Sequence, residues 1–429
     1  MVRGYTVRVA PLVEVAAVAG IIAFPQIVQE ALEQFGDLFA NEPQRRHFGE
    51  YLTGLDVAAR KTITGINAEF AQATDQSCLN RFAHHGAWDV QALNSRRLGL
   101  LQRDADTRYS EHGPIALDNT LIDHDGTCIE DVGWFWDHAE ERYKIAHDYL
   151  IANYVCASGK HYPLDFRCFQ KQQQGAARKA PFKDHTALFQ ELVDWAHDRH
   201  IPGTFAMDSY FTNAPILNHI HAKQLGDGRP RGYVGSLQFN RKLLYRGRLT
   251  KASELAADID PGVRKLRREG DKQQWYFTCT LRIPDVAHKV RIVLLWAHRE
   301  DTQPRIILVS NRTQWEVTRV VRVYRHRWTG TETFHRDGKQ QLGLGDCQLR
   351  DREGQTRHLY LVRLAYSLLV RQLRQGRAYE WASQRLTTIG QACRAVLTET
   401  LRTTLTWAIE RVSLRAWDNQ RVIAHLGLT

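Results

Sequence analysis

Two short apolar runs, far apart in the chain, each close on an aspartate, and this pairing constrains the fold more than any other feature. Pro114-Ile-Ala-Leu-Asp118 and Gly203-Thr-Phe-Ala-Met-Asp208 both read as buried strands. The ends of strands are where α/β folds build their sites. Taken singly, an acid at a strand end is more often a cap or a turn residue, so the sequence needs a third element before chemistry can be assigned.

The surrounding pattern is mixed α/β. Residues 27–39, 43–55, 61–73 and 75–85 carry helical spacing, the last with Asp75 as its N-cap. Their arginines suit a DNA-gripping region, and a helical cap on the core fits the composition equally well. Residues 149–157 and 161–169 read as strands around the hairpin signal Ser158-Gly159. Helical spacing returns at 183–199, with Leu188, Leu192, Val193 and Trp195 on one face, and at 214–223. From about 240 to 304 strands dominate, at 275–283 and 290–297, followed by 305–310. The stretch 315–342 is helical by pattern, and 356–374 and 387–410 are long, arginine-rich and amphipathic.

Charge and cysteine usage narrow the function classes. With 58 Lys and Arg against 47 Asp and Glu, the chain carries +11, which suits a polyanionic partner. Its seven cysteines are scattered without a CxxC pair, which excludes a disulfide framework and a zinc knuckle as written motifs. A reducing, cytoplasmic setting follows as the expectation. The apolar stretch at 9–23 is interrupted by Glu14 and is too short to span a membrane.

The third element is the helical stretch around Glu332. At about 100° per residue, Tyr324, Arg327, Glu332 and Lys339 fall within an arc of roughly 140°. Such a face could be a solvated charge stripe. It also suits phosphate cutting, with a carboxylate to help hold metal and flanking cations to grip the backbone. Three carboxylates from distant positions can hold two Mg²⁺ ions, for which Mn²⁺ substitutes, without any His or Cys ligand. Gly330 and Gly338 interrupt the helix, at about 1 kcal/mol each relative to Ala.

The pattern Tyr324-x2-Arg327-x4-Glu332-x6-Lys339, followed by Gln340-x-Leu342-Gly343-Leu344, resembles the signature of bacterial insertion-sequence DDE transposases of the cut-and-paste type. Ala116-Leu-Asp118-Asn-Thr-Leu and Phe205-Ala-Met-Asp208-Ser-Tyr-Phe resemble the two aspartate motifs of that family, in the right order. Thr331 departs from the pattern, which usually has an aliphatic residue before the glutamate. The resemblance implies an RNase H-like catalytic core, a mixed five-stranded sheet with flanking helices, at 106–239 and 305–350. A β-strand insertion domain would occupy 240–304, with helical regions at 1–105, for DNA binding, and 351–429.

By the same resemblance Asp118, Asp208 and Glu332 are the catalytic metal ligands, while Tyr324, Arg327 and Lys339 hold the DNA end. The implied partners are double-stranded DNA, as terminal inverted repeats and target, and a second copy of the chain when two ends are paired. The insertion implies a hairpin intermediate with a flipped base, for which Trp275 and Trp296 are candidate supports, although strand packing explains both. An RNase H-like nuclease without strand transfer, or an inactive DNA-binding relative, are the competing readings. Other signals are weaker. Cys78 with His84-His85, and Asn218-His-Ile-His221, are poor metal motifs. The acidic loop Asp123, Asp125, Glu130, Asp131 reads as a solvated turn, and Arg264–Arg268 as a DNA-facing patch or a turn.

Overall fold

A computed structural model describes residues 20–172, 181–270, 272–375 and 381–427. Most of the apolar stretch at 9–23 therefore lies outside the described residues. Two compact units emerge, one joining residues up to Trp88 with those from Arg374 onward, the other running from Asp89 to Leu373. Among the described residues no helix is long and apolar enough to cross a membrane.

The first unit is helical. Its N-terminal part holds α1 (Gln26–Phe35), α2 (Glu42–Val57), α3 (Ile63–Ala68) and α4 (Gln76–His85). Asn41 and Asp75 cap α2 and α4 by accepting from the N–H groups of Gln44 and Ser77. The expected helix at 61–73 is shorter because Phe70 instead bridges to Ile21. Phe39, Phe48, Phe82 and Trp88 form the aromatic core. A C-terminal helix, Ile389–Ser413, joins this unit through Glu399, whose Oε1 accepts the Gln26 N–H at 2.9 Å.

The second unit begins with α5 (Val90–Arg103) and is built on a ten-stranded mixed sheet. Its first strands are β1 (Pro114–Asp123), β2 (Gly133–Asp137), β3 (Arg142–Val155), β4 (His161–Phe169), β5 (Thr204–Met207) and β6 (Tyr233–Ser236). Here β1, β5 and β6 run parallel, whereas β3 is antiparallel to β1 and to β4. The order β4-β3-β1-β5-β6 is a mixed five-stranded arrangement consistent with an RNase H-like core. A hairpin strand missing from the sequence reading, β2, pairs with the first part of β3.

The strand-rich stretch after residue 240 does not stand apart. A small ribbon of β7 (Lys242–Tyr245) and β8 (Arg248–Lys251) comes first. Then β9 (Lys265–Glu269), β10 (Lys272–Leu281), β11 (Val290–Trp296) and β12 (Ile306–Ser310) follow, and β12 pairs with β6. Backbone pairing is thus continuous from the core into the expected insertion, so these strands extend one sheet. The N- and C-terminal boundaries shift as well. Arg97 on α5 is buried and donates to Leu164 O at 3.1 Å and Ser367 Oγ at 2.8 Å. That tie places α5, and the later helix carrying Ser367, with the sheet rather than with the terminal helices.

Helices α6 (His185–Asp198), α7 (Ala214–Ala222) and α8 (Ala252–Asp258) precede the long α9 (Val317–Gln341) and α10 (Arg352–Gln372). Val317, Val320, Val321 and Val323 of α9 pack onto Ala206, Val234, Val293, Leu295 and Leu308 of the sheet. A valine-rich first turn is stiff in χ1 and suits a helix held by packing more than by propensity.

Candidate active site

The register of β1 and β5 sets the first two carboxylates. Parallel pairing stops at Ala116↔Ala206. Two residues beyond on each strand stand Asp118 and Asp208, brought to neighbouring positions where the strands part. Residues two apart share a face, so both continue the faces of Ala116 and Ala206. Asp118 lies inside β1 rather than at its end, because β1 continues as the partner of β3 to Asp123. Asp208 follows the last residue of β5, and its Oδ1 accepts the N–H groups of Tyr210 (3.0 Å) and Phe211 (3.1 Å).

Helix α9 brings Glu332 to this edge without a break, despite its two glycines. A Cβ at position 330 would meet Val155 Cγ2 at 2.7 Å and Ala116 Cβ at 3.3 Å. The missing side chain is what lets α9 lie close on β1 and β3. Gly338 similarly accommodates Leu344. Thr331, the departure from an aliphatic residue, is fully buried, donates to Arg327 O at 3.0 Å and approaches Asp118 Oδ2 at 3.4 Å.

Charge is concentrated at Asp118. The Arg327 Nη1 donates to its Oδ2 at 2.6 Å, with both side chains buried. Burial pushes the Asp118 carboxyl up to about 7, Arg327 opposes the shift, and the negative charges of Asp208 and Glu332 add to it. Glu332 is therefore near enough to bear on the ionisation of Asp118.

The three family-type DNA contacts are all engaged within the chain. Tyr324 packs against the valine cluster of α9, with the Arg327 guanidinium 5.6 Å from its ring. Arg327 holds Asp118, and Lys339 Nζ donates to Leu121 O at 2.7 Å. Trp296 is fully buried under Arg264, whose guanidinium lies 4.1 Å from the ring centre. Trp275, its cross-strand neighbour, is only partly buried and stands beside Arg299. In the basic run Arg264–Arg268, Arg264 and Arg267 are buried, while Lys265 and Arg268 are exposed.

An open cleft of about 880 Å³ runs along this edge, lined by Asp208, Glu332 and Lys339. It also exposes residues the sequence reading passed over. Asp148 is buried, bonded to His185 Nε2 at 2.7 Å and to Asn119 Nδ2 at 3.0 Å. Only the β1–β3 register, Leu121↔Asp148, reveals it. Trp136 of β2 and Tyr210 line the cleft and are exposed. Trp328, 62% exposed, lies by its number within the same helical arc as Glu332, so the spacing could have found it.

The acidic loop is not simply solvated. Asp123 pairs with Lys144 at 2.8 Å, and Asp131 is buried against Arg352 at 2.6 Å. Of the other histidines, His219 pairs with Asp194 at 2.7 Å, and His221 stacks on His288.

An all-oxygen set of Asp118, Asp208 and Glu332 suits Mg²⁺ in its chemistry. As placed, however, no three His, Cys, Asp or Glu side chains among the described residues could hold an ion together. Arg327 supplies the countercharge on Asp118 instead. The donor chemistry of the three carboxylates fits a divalent ion.

Residues 34–243 match the family described as DDE superfamily endonuclease. The match spans both aspartates and stops short of Glu332, which rests on the geometry above. It supports a DDE-type transposase or nuclease. No curated protein matches the chain.

Proposed function

We propose that this chain is a DNA transposase that binds the inverted-repeat ends of an insertion sequence and moves it by cut-and-paste strand cleavage and strand transfer. One observation carries the reading. Asp118 and Asp208 each stand two residues beyond the last parallel pair of β1 and β5, and Glu332, from the signature-bearing α9, lines the same cleft as Asp208.

In this reading Asp118, Asp208 and Glu332 are the residues that would hold divalent ions. Bound there, two such ions would activate water or a 3′-hydroxyl and stabilise the leaving oxygen. The chain's own groups do the rest. Arg327 favours the charged form of the buried Asp118, and Lys339 sits beside β1 where a strand backbone would pass. Trp136, Tyr210 and Trp328 offer faces on which an unstacked base could lie during a hairpin step. Joining two ends requires two copies of the chain. A nuclease without strand transfer is the second reading, favoured by the engagement of Tyr324, Arg327 and Lys339 inside the protein.

The test is cleavage of a labelled duplex carrying the element's own terminal repeat, with Mg²⁺ or Mn²⁺. Nicking, a hairpin product and joining to a second duplex are expected. Glu332→Gln should lower cleavage by about 10²–10³-fold or more, as loss of a group that stabilises developing charge does. Cleavage without joining selects the nuclease, and cleavage unchanged by Glu332→Gln removes the site.

A further inference from the structure

At the other end of α9 lies a group of guanidiniums that the cutting site does not use. A pocket of about 390 Å³ opens where β5 begins and α9 starts. Arg231, Arg312 and Arg319 line it, and none has a carboxylate partner among the described residues. Arg231 is 1% exposed and its Nε is buried without a hydrogen-bond partner. The Nε of Arg312 is likewise unpartnered, and a Cβ on Gly232 would meet it at 2.6 Å, so the missing side chain at 232 makes room for it.

Arg312 and Arg319 flank Trp315, with guanidinium-to-ring distances of 6.0 and 3.9 Å. Arg319 also donates to His112 Nδ1 at 2.9 Å. Two acids reach the pocket, Asp227 and Glu111, and Asp227 is already paired with Arg229 at 2.5 Å. Burial first, then the neighbouring guanidiniums, hold Arg312 and Arg319 below the ordinary arginine value. Like charges gathered this way lack an anion. Planar guanidinium donors match the oxygens of phosphate in a bidentate fork, as they do those of a carboxylate.

We propose that this pocket is a phosphate-binding site, separate from the carboxylate cleft, that takes its phosphate from a DNA backbone or from a free polyphosphate. From Arg319 to Glu332 is 13 residues along α9, about 20 Å at 1.5 Å per residue.

Inorganic pyrophosphate is titrated into the full chain in EDTA, with tryptophan fluorescence reporting through Trp315. EDTA removes divalent ions, so the cutting chemistry plays no part and its failure would leave this result standing. Saturable binding is expected in wild type and in Glu332→Gln, weakened tenfold or more in Arg312→Gln. Arg319→Gln, on the rim, gives the same loss if Arg312→Gln fails to fold. No saturation in wild type, or wild-type affinity in both arginine variants, overturns the proposal. A 20-base-pair duplex separates the sources. If Arg312→Gln lowers duplex affinity and its salt slope by about one, the phosphate belongs to DNA. If duplex binding is unchanged while pyrophosphate binding is lost, the ligand is a free polyphosphate.

Discussion

The middle and the start of α9 present opposite electrostatic environments within one packed unit. In the middle, Asp118 is buried with Asp208 and Glu332 bearing on it, and the buried Arg327 supplies its countercharge. At the start, crowded guanidiniums stand around Trp315 with hardly a carboxylate to meet them. A stable core tends to pair its buried charges. Where it leaves one sign in excess at two separate places, each place is suited to a ligand of the opposite sign. The same residue type therefore plays two roles, since Arg327 neutralises the protein's own excess while Arg312 adds to one.

The largest expected effect is on pH. The folded Asp118 value of about 7 stands above the 3.8 of an ordinary aspartate, so the folded state holds the proton more tightly across that window. Stability in EDTA is complete below pH 4 and falls as the pH rises through 7, by up to about 4 kcal/mol for a shift of this size. Urea unfolding at pH 5 and pH 8 measures it. Asp56, in the helical unit, is also raised to about 7 by burial and contributes a slope of its own. The informative quantity is the difference between wild type and Asp118→Asn, and an identical slope in both would show that burial does not raise the Asp118 carboxyl.

Next in size is the loss of Arg327. Arg327→Gln leaves Asp118 buried without its countercharge and should cost about 3 kcal/mol at pH 8. The cost should shrink toward pH 5, where Asp118 takes a proton. Chemical denaturation at the two pH values checks this, and a pH-independent cost would point to lost packing instead. The smallest effect sharpens the contrast most. Arg312→Gln relieves like-charge repulsion and should leave stability within about 0.5 kcal/mol of wild type, or slightly above it. Sulfate should raise the melting temperature of wild type more than that of Arg312→Gln. A loss as large as that of Arg327→Gln would mean that Arg312 has a structural partner and that the two ends are alike.

Much of the site was legible from local rules. Apolar runs closing on Asp118 and Asp208 identified the strands, and the spacing of Tyr324, Arg327, Glu332 and Lys339 identified one helical face, because side-chain direction along an element follows a fixed period. The capping aspartate of α4 was legible for the same reason. What spacing does not encode is which distant groups meet. Gly330 and Gly338 looked like weak points of α9, and only the approach of Val155, Ala116 and Leu344 shows them to be points of close packing.

Arg327 read as a free cation for DNA until the fold set it on Asp118. The strands between 240 and 304 read as a separate domain, because nothing local records that β11 pairs with β12 of the core. The arginine pocket draws Arg231, Arg312 and Arg319 from three segments that share no motif. The sequence by itself pointed to most of the elements and to the three candidate acids, since those readings depend on neighbours a few residues away. The tertiary structure alone decided the partners of each charge, since burial and Coulomb forces act through space and take no account of separation along the chain.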